Sequence, residues 1–503
     1  MSRFAFCGPS YQSTSPIVNA EECINFYPES TEGSQAKTAL ALYPTPGLAV
    51  FASLPSGDIP QGIIWVPSQG RCFAAGNKLY ELLADGTVVD LGVLLPPIGP
   101  VFMACNPTQL LICTAGTLWT LTFSTNTLTK VGSPPFTVVS QIGFSDGFFV
   151  AMQTSPAAIA LSAINNGASW PALSVSTISL FPDNLVSMIV DHREIVLFGN
   201  TKSVVYANAG AAIFPFQPVP GSYVEQGADS LAAQVQLDNS VFWTSFDQRG
   251  NLVAYRSQGY NGIRISNHAV EQQWQSYPKT SDAIGYSFQM NGHPWWHIYF
   301  PTAKVSWRYD VSTGMWHKAL GWDNGQWTAH NSQAHAFAFG KHLVADWNSS
   351  NIYQMAMPSY SGGSWNFCDD AGAPIRRLRR CPYIQTEWVR MFHNRIQFDL
   401  EVGLGPIPPL TDGSGNPRDP QMILRWSDDG TKTWSNDHFL NCGQAGNYNR
   451  RVFKTRLGST LHGRVYEVNM TDPIPWRFAD AYLDAEPGMK PVRRLSDQLK
   501  AGA

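Results

Sequence analysis

The chain has 503 residues and a formal net charge of −3, with 44% hydrophobic, 12% aromatic and only 14% charged residues, 42 Gly and 35 Pro. Such a length fills one very large core or two to three ordinary ones, and so turn-rich and weakly charged a composition points to a folded, mostly β protein. The absence of a basic excess argues against bulk electrostatic attraction to nucleic acid, so any DNA contact has to be local.

The opening MSRFAFCGPSYQSTS has no charged segment followed by an apolar one, and no apolar run reaches the ~18 residues of a membrane span. Both features argue against secretion and membrane insertion. The eight cysteines, at 7, 23, 72, 105, 113, 368, 381 and 442, show no CxxC spacing and read as buried free thiols in a reducing compartment.

Residues 1–55 read as an extended arm ending in a lead-in strand, because CINFYPES and LYPTPGLAVF are apolar islands interrupted by prolines. From Gly62 a repeat begins. GIIWV, RCFAAGNKLYEL and TVVDLG make four short strands split by Gly76-Asn77 and Asp85-Gly86, and a second copy runs from Val101 to Gly132. Looser copies start near Ser140, Leu185, Leu231, Ala283 and Ala334. The clearest is DHREIVLFGNTKSVVYANAG, two strands about the Gly199-Asn200-Thr201 turn.

Starts recur at roughly 40 to 50 residues, the period of four-stranded propeller blades, and about seven modules fit. A lone twisted sheet cannot hide its faces, whereas a ring of them buries each face against the next. The expected architecture is therefore all-β: a degenerate β-propeller over 56–358, a linker at 359–375, a β-sandwich-like domain at 376–487 and a flexible tail at 488–503. A string of β-sandwiches is the competing architecture.

Several motifs invite chemistry. Ser427-Asp428-Asp429-Gly430-Thr431-Lys432-Thr433-Trp434 resembles an Asp-box, with Ser427 and Asp429 bonding turn amides, Gly430 turning the chain and Trp434 packing under the loop. Asn165-Asn166-Gly167 with Trp170 is a similar turn. His293 and His297 lie four apart, a metal spacing on a helix, but Pro294 and the β context place them on a strand. With no nucleophile elbow, P-loop or dinucleotide fingerprint, the chain reads as a non-enzyme with no cofactor, no metal and no catalytic residue. The most suggestive charges are Arg376, Arg377, Arg379, Arg380, Arg450, Arg451 and Arg456. They read either as a solvated or internally paired face or as contacts to a partner subunit or DNA backbone.

Three stretches, CINFYPES with ALALYPTPGLAVF, HREIVLFGNTKSVVYANAG, and ILRWSDDGTKTWS through RRVFKTRLGST to AYLDAE, resemble the packaged-DNA stabilisation proteins of short-tailed phages of the P22 type, their tail hub or nozzle. That resemblance implies a virion protein assembled in the host cytoplasm, a homo-oligomeric ring of six copies below the portal and adaptor rings. Such a ring extends the channel for double-stranded DNA, helps retain packaged genome, and anchors tail fibres or spikes and a plugging needle. With it, the arginine clusters are expected at subunit interfaces of the C-terminal domain. The alternative is a glycan-binding or sialidase-like propeller, suggested by the Asp-box-like turns and the many tryptophans.

Overall fold

In the computed structural model, residues 2–31, 33, 37–94, 96, 99–178, 183–385 and 389–488 are described. The tail expected at 488–503 therefore lies, beyond Gly488, outside the described residues. The chain divides into two compact units, one of Thr45–Ser359 with Asn366–Ile375, the other of the residues up to Pro44, Tyr360–Trp365 and those from Arg376 on.

The first unit is a β-propeller. Six blades are each built from one contiguous stretch, at 62–93, 102–130, 141–177, 185–218, 235–264 and 284–318, every one a four-stranded antiparallel meander. The ring is closed by a composite set. Ala334–Ala338, Lys341–Ala345 and Asn351–Ala356 form its inner three strands, and Gly47–Ser53 pairs antiparallel with Asn351–Ala356 as the fourth. The expectation of about seven modules is corrected in this respect: six are contiguous, and the last borrows the strand assigned to the arm. The innermost strands follow one another around the ring, and Ala334–Ala338 returns to Gly62–Val66.

Apolar wedges fill the gaps between blades. Phe73 and Leu79 of the first blade meet Leu110, Ile112 and Leu121 of the second, and Met152 and Ile159 of the third meet Leu197 and Phe216 of the fourth. The sixth blade is the most aromatic, and Trp295, Trp296, Trp307 and Trp316 are all buried there. No described tryptophan is exposed, which removes the support those residues lent to a glycan-binding alternative. The one α-helix among the described residues, His268–Gln275, sits between the fifth and sixth blades. Asn267 caps it by accepting from the Val270 amide, and Trp274 anchors it in the core.

A carboxylate staple recurs in three of the blades. Asp58, Asp183 and Asp282 lie just ahead of the innermost strands of their blades and accept from the turn between the second and third strands. Asp58 takes the amides of Asn77 and Lys78 and the Tyr80 hydroxyl; Asp183 takes the amide and hydroxyl of Thr201; Asp282 takes those of Thr302. Each staple satisfies turn N–H groups that would otherwise face a blade end without partners.

The second unit is a β-sandwich. One sheet runs Phe26–Ser30, Leu40–Pro44, Phe478–Pro487, Met391–Leu400, Val452–Thr455, with Ser2–Phe4 and Ser459–Thr460 alongside. The other runs Ala20–Ile24, Arg377–Arg380, Val465–Met470, Gln421–Ser427, His438–Asn441, with Tyr11–Gln12 alongside. Ile396, Phe398, Ala481 and Leu483 of the first sheet share one core with Met422, Leu424, Val468 and Met470 of the second. The described residues among 2–44 are thus not an extended arm. They supply strands to both sheets, and Pro28 is accommodated because Phe26–Ser30 is an edge strand, where a missing N–H is tolerated. The stretch expected as a linker at 359–375 also carries structure, for Asp369–Asp370 pairs with Ala373–Pro374 and lies beside Leu48.

Candidate functional site

Strand alternation decides the fate of the arginine cluster. In Arg377–Arg380 the side chains of Arg377 and Arg379 point one way and that of Arg380 the other, and Arg377 and Arg379 are both 0% exposed. Arg379 donates to the carbonyls of Phe6 (2.5 Å) and Pro9 (2.9 Å) and pairs with Glu21 at 2.5 Å. The N-terminal strands cover it and their carbonyls satisfy it, so these two arginines offer no partner surface. For them the interface expectation is corrected.

Arg380 is used differently. It stands opposite Glu467 on one side, while Arg425 stands opposite Glu467 on the other. Glu467 Oε2 accepts from Arg380 Nε (2.9 Å) and Nη2 (2.7 Å). Its Oε1 accepts from Arg425 Nε (2.7 Å) and Nη2 (2.5 Å) and from Asn469 Nδ2 (2.8 Å). Arg376 Nε donates to Asn469 Oδ1 at 3.1 Å and joins the same ladder. Both guanidiniums lie against the Trp434 ring, at 5.2 Å for Arg380 and 4.6 Å for Arg425. Trp434 was expected to pack under its own turn; it serves instead as a cation–π platform for two strands.

The Asp-box-like turn is otherwise built as expected. Ser427 Oγ donates to Asp429 Oδ1 (2.8 Å) and accepts from the Thr431 amide (2.9 Å), while Asp429 accepts from the amides of Lys432 (3.0 Å) and Thr433 (2.9 Å) and from the Thr433 hydroxyl (2.6 Å). These bonds, Thr433 first, hold the Asp429 carboxyl down at about 2. Gly430 takes φ +71° at the corner. Next to the turn, Asp428 grips the buried Arg464 at 2.6 Å and 2.8 Å. In the third blade, Asn166 caps the Ala168 amide and Trp170 donates to the Gly167 carbonyl at 2.8 Å, so that ring does cover its turn.

Arg450, Arg451 and Arg456 remain exposed. Arg450 donates to the Asn441 carbonyl at 2.9 Å, and Arg451 directly precedes Val452–Thr455. His438–Asn441 and Val452–Thr455 end their respective sheets, and the exposed rings of Phe439, Tyr448 and Phe453 lie on them or between them. This side of the sandwich, basic and aromatic with two strand edges, is the part of the expected interface that a partner can reach.

In the propeller, His293 and His297 serve the core. His293 Nδ1 bonds Asp310 at 2.7 Å and His297 stacks on Tyr286 at 4.6 Å. Arg308, fully buried, donates Nε to His297 Nδ1 (3.2 Å) and faces His330 (3.3 Å). Burial first, and Arg308 second, keep His297, His317 and His330 neutral far below the usual histidine range. No group of three potential ligands suited to a metal occurs among the described residues. The eight cysteines are free thiols and six are buried, which pushes Cys23 up to about 12.

Glu467, Arg425, Asp428 and Arg464 were not singled out from the sequence. Their signal was charge alternation within ILRWSDD and RVYEVNM, legible only once the pairing of those strands is known.

Two family models match the sequence: residues 21–360 match the one described as Bacteriophage P22 Gp10, beta-propeller, and residues 376–486 the one described as Bacteriophage P22 Gp10, beta-sandwich. Comparison with curated proteins gives no significant match. Among solved structures, YCF48 from Cyanidioschyzon merolae aligns at 11% identity and a TM-score of 0.41 over 62% of this chain and 99% of that one, a likeness too loose to argue from. With both domain models matched in order along a propeller and a sandwich, the chain belongs to the bacteriophage P22 Gp10 family of packaged-DNA stabilisation proteins, structural components of the phage virion.

Proposed function

We propose that the protein is the tail hub, or nozzle, of a short-tailed phage: a homo-oligomeric ring of six copies below the portal and its adaptor that extends the DNA channel, helps retain the packaged genome and anchors tail fibres or spikes. The observation that carries this reading is the tandem family match over 21–360 and 376–486. The low charge supports it too, since a lumen near neutral or weakly acidic lets a polyanion pass without phosphate neutralisation.

The exposed side bearing Arg450, Arg451 and Arg456 with Phe439 and Phe453 is the surface assigned to subunit or partner contact. Arginine forks suit carboxylates on a neighbour, and aromatic rings supply desolvated area. Arg376 and Arg380, tied into the Glu467 ladder, act within the subunit.

The test is genome retention. Phage heads filled in its absence leak DNA, measured as nuclease-sensitive DNA after gentle heating, and addition of purified protein restores protection. Heads that stay sealed without it would overturn the retention role.

A further inference from the structure

Three short stretches meet at one end of the sandwich. Residues 402–409 leave the strand Met391–Leu400, residues 443–449 join His438–Asn441 to Val452–Thr455, and the hairpin of residues 360–365 packs beside them. The first two share an end because Phe398 stands opposite Val452. Bonds between the stretches hold them in place: the Gly403 amide donates to the Cys442 carbonyl (3.2 Å), the Gly446 amide to the Gly403 carbonyl (3.2 Å), and Trp365 Nε1 to the Leu404 carbonyl (2.8 Å).

These supports hold large side chains up in solvent. Trp365 packs on the sandwich core, and Tyr360 stands edge-on to it at 5.0 Å with 51% of its surface exposed. Tyr448, 69% exposed, lies over Gly403, where a Cβ would come within 3.0 Å of its ring. Ile407, 57% exposed, has its carbonyl beside Gly363 of the hairpin. Binding residues carried on loops above a rigid scaffold have this arrangement.

The composition selects among ligands. None of the stretches 360–365, 402–409 and 443–449 contains a charged residue, so DNA phosphates would meet no counter-charge there. A sugar would face Ile407, Pro408 and Pro409, whose side chains neither donate nor accept. Tyrosine on a framework of Gly, Ser and Asn is the make-up of protein-recognising loops. The rings give rigid contact area at little entropic cost, and the small residues give adaptable hydrogen bonding. Fixing the loops beforehand lowers the cost of association further.

We propose that this loop end docks a second protein of the virion, one that presents an uncharged, largely apolar contact surface. The basic side from Arg450 to Arg456 follows directly along the chain, but its arginine forks suit carboxylates and serve a different contact. The proposal deepens the tail-hub reading and rests on it.

Photocross-linking in purified virions tests it, with p-benzoylphenylalanine replacing Tyr448, Ile407 or, as a control, Leu173, an exposed position of the third blade. The expected result is a cross-link from positions 448 and 407 to one and the same protein other than this chain, and none to that protein from position 173. Adding Tyr360→Asp should lower the yield from position 407 at least tenfold. Cross-links only between copies of this chain, only to DNA or to nothing, or a yield that Tyr360→Asp leaves unchanged, would each overturn the proposal. Absence of the chain from purified virions would overturn the tail reading as well, so the two failures are told apart.

Discussion

Replacing Glu467 tests whether the arginine cluster holds the sandwich together or serves a partner. The carboxylate is 0% exposed and accepts from two guanidiniums and one carboxamide, with the Arg380 and Arg425 side chains only 15% and 27% exposed. Removing it in Glu467→Ala leaves two cations facing each other across the central strand with little water to screen them. Stranding a buried charge in this way costs on the order of 3–5 kcal/mol. Glu467→Gln keeps the shape and one acceptor, so its cost should be about half of that by the same reasoning. A triple change, Glu467→Met with Arg380→Met and Arg425→Leu, removes the charges together and should recover most of the loss, as apolar replacements of whole buried ion networks do. The assay is urea denaturation of the full chain followed by tryptophan fluorescence, with Trp434 and Trp426 as nearby reporters. A Glu467→Ala midpoint equal to that of the wild type would refute the structural role of the ladder.

Further expectations follow from other contacts. Asp58→Ala strands the amides of Asn77 and Lys78 and the Tyr80 hydroxyl and should cost about 3 kcal/mol, read as a lowered urea midpoint; Asp58→Asn should cost less. Deleting residues 1–53 removes the closing strand Gly47–Ser53 and should leave the propeller open, with faster proteolysis between Ala334 and Ala356; equal resistance would contradict composite closure. His317 is held down at about 3 by burial, and by Arg308 to a lesser extent. Because the unfolded chain takes up that proton first, stability is constant above about pH 6.5 and declines as pH falls toward 3, with a loss of about 2 kcal/mol at pH 5 from this group. His297 and His330 act in the same direction, so thermal melts from pH 8 to 4 should show a steep fall below 6.5, and a flat profile would contradict the buried neutral imidazoles. Arg450→Ala with Arg451→Ala and Arg456→Ala should leave the monomer melt unchanged while weakening assembly, measured by sedimentation; unimpaired assembly would move the interface elsewhere.

The blades were legible because hairpins are local. Alternation and Gly-containing turns such as Gly76-Asn77 and Gly199-Asn200-Thr201 need only a few residues to declare themselves. The closing strand was not legible, because Gly47–Ser53 pairs with Asn351–Ala356 across most of the chain, and nothing local marks such a pairing. For the same reason residues 2–44 read as an arm. Arg379 read as surface because arginines are seldom fully buried, and its partners, Glu21 and two N-terminal carbonyls, lie over 350 residues away. The helix His268–Gln275 escaped because eight residues carry too few turns of periodicity, and Asn267 lacks the Glu or Gln three positions on that completes a capping box. The carboxylate staples are visible in retrospect as an Asp shortly before the innermost strands of the first, fourth and sixth blades, a signal that needs the blade frame to be recognised.

The most direct measurement is the mass of the purified protein by light scattering, alone and after mixing with portal rings that bear their adaptor. A species of 55.4 kDa that shifts onto the portal complex as six copies is the result expected of a tail hub. A protein that ignores the adaptor-bearing portal would contradict that role.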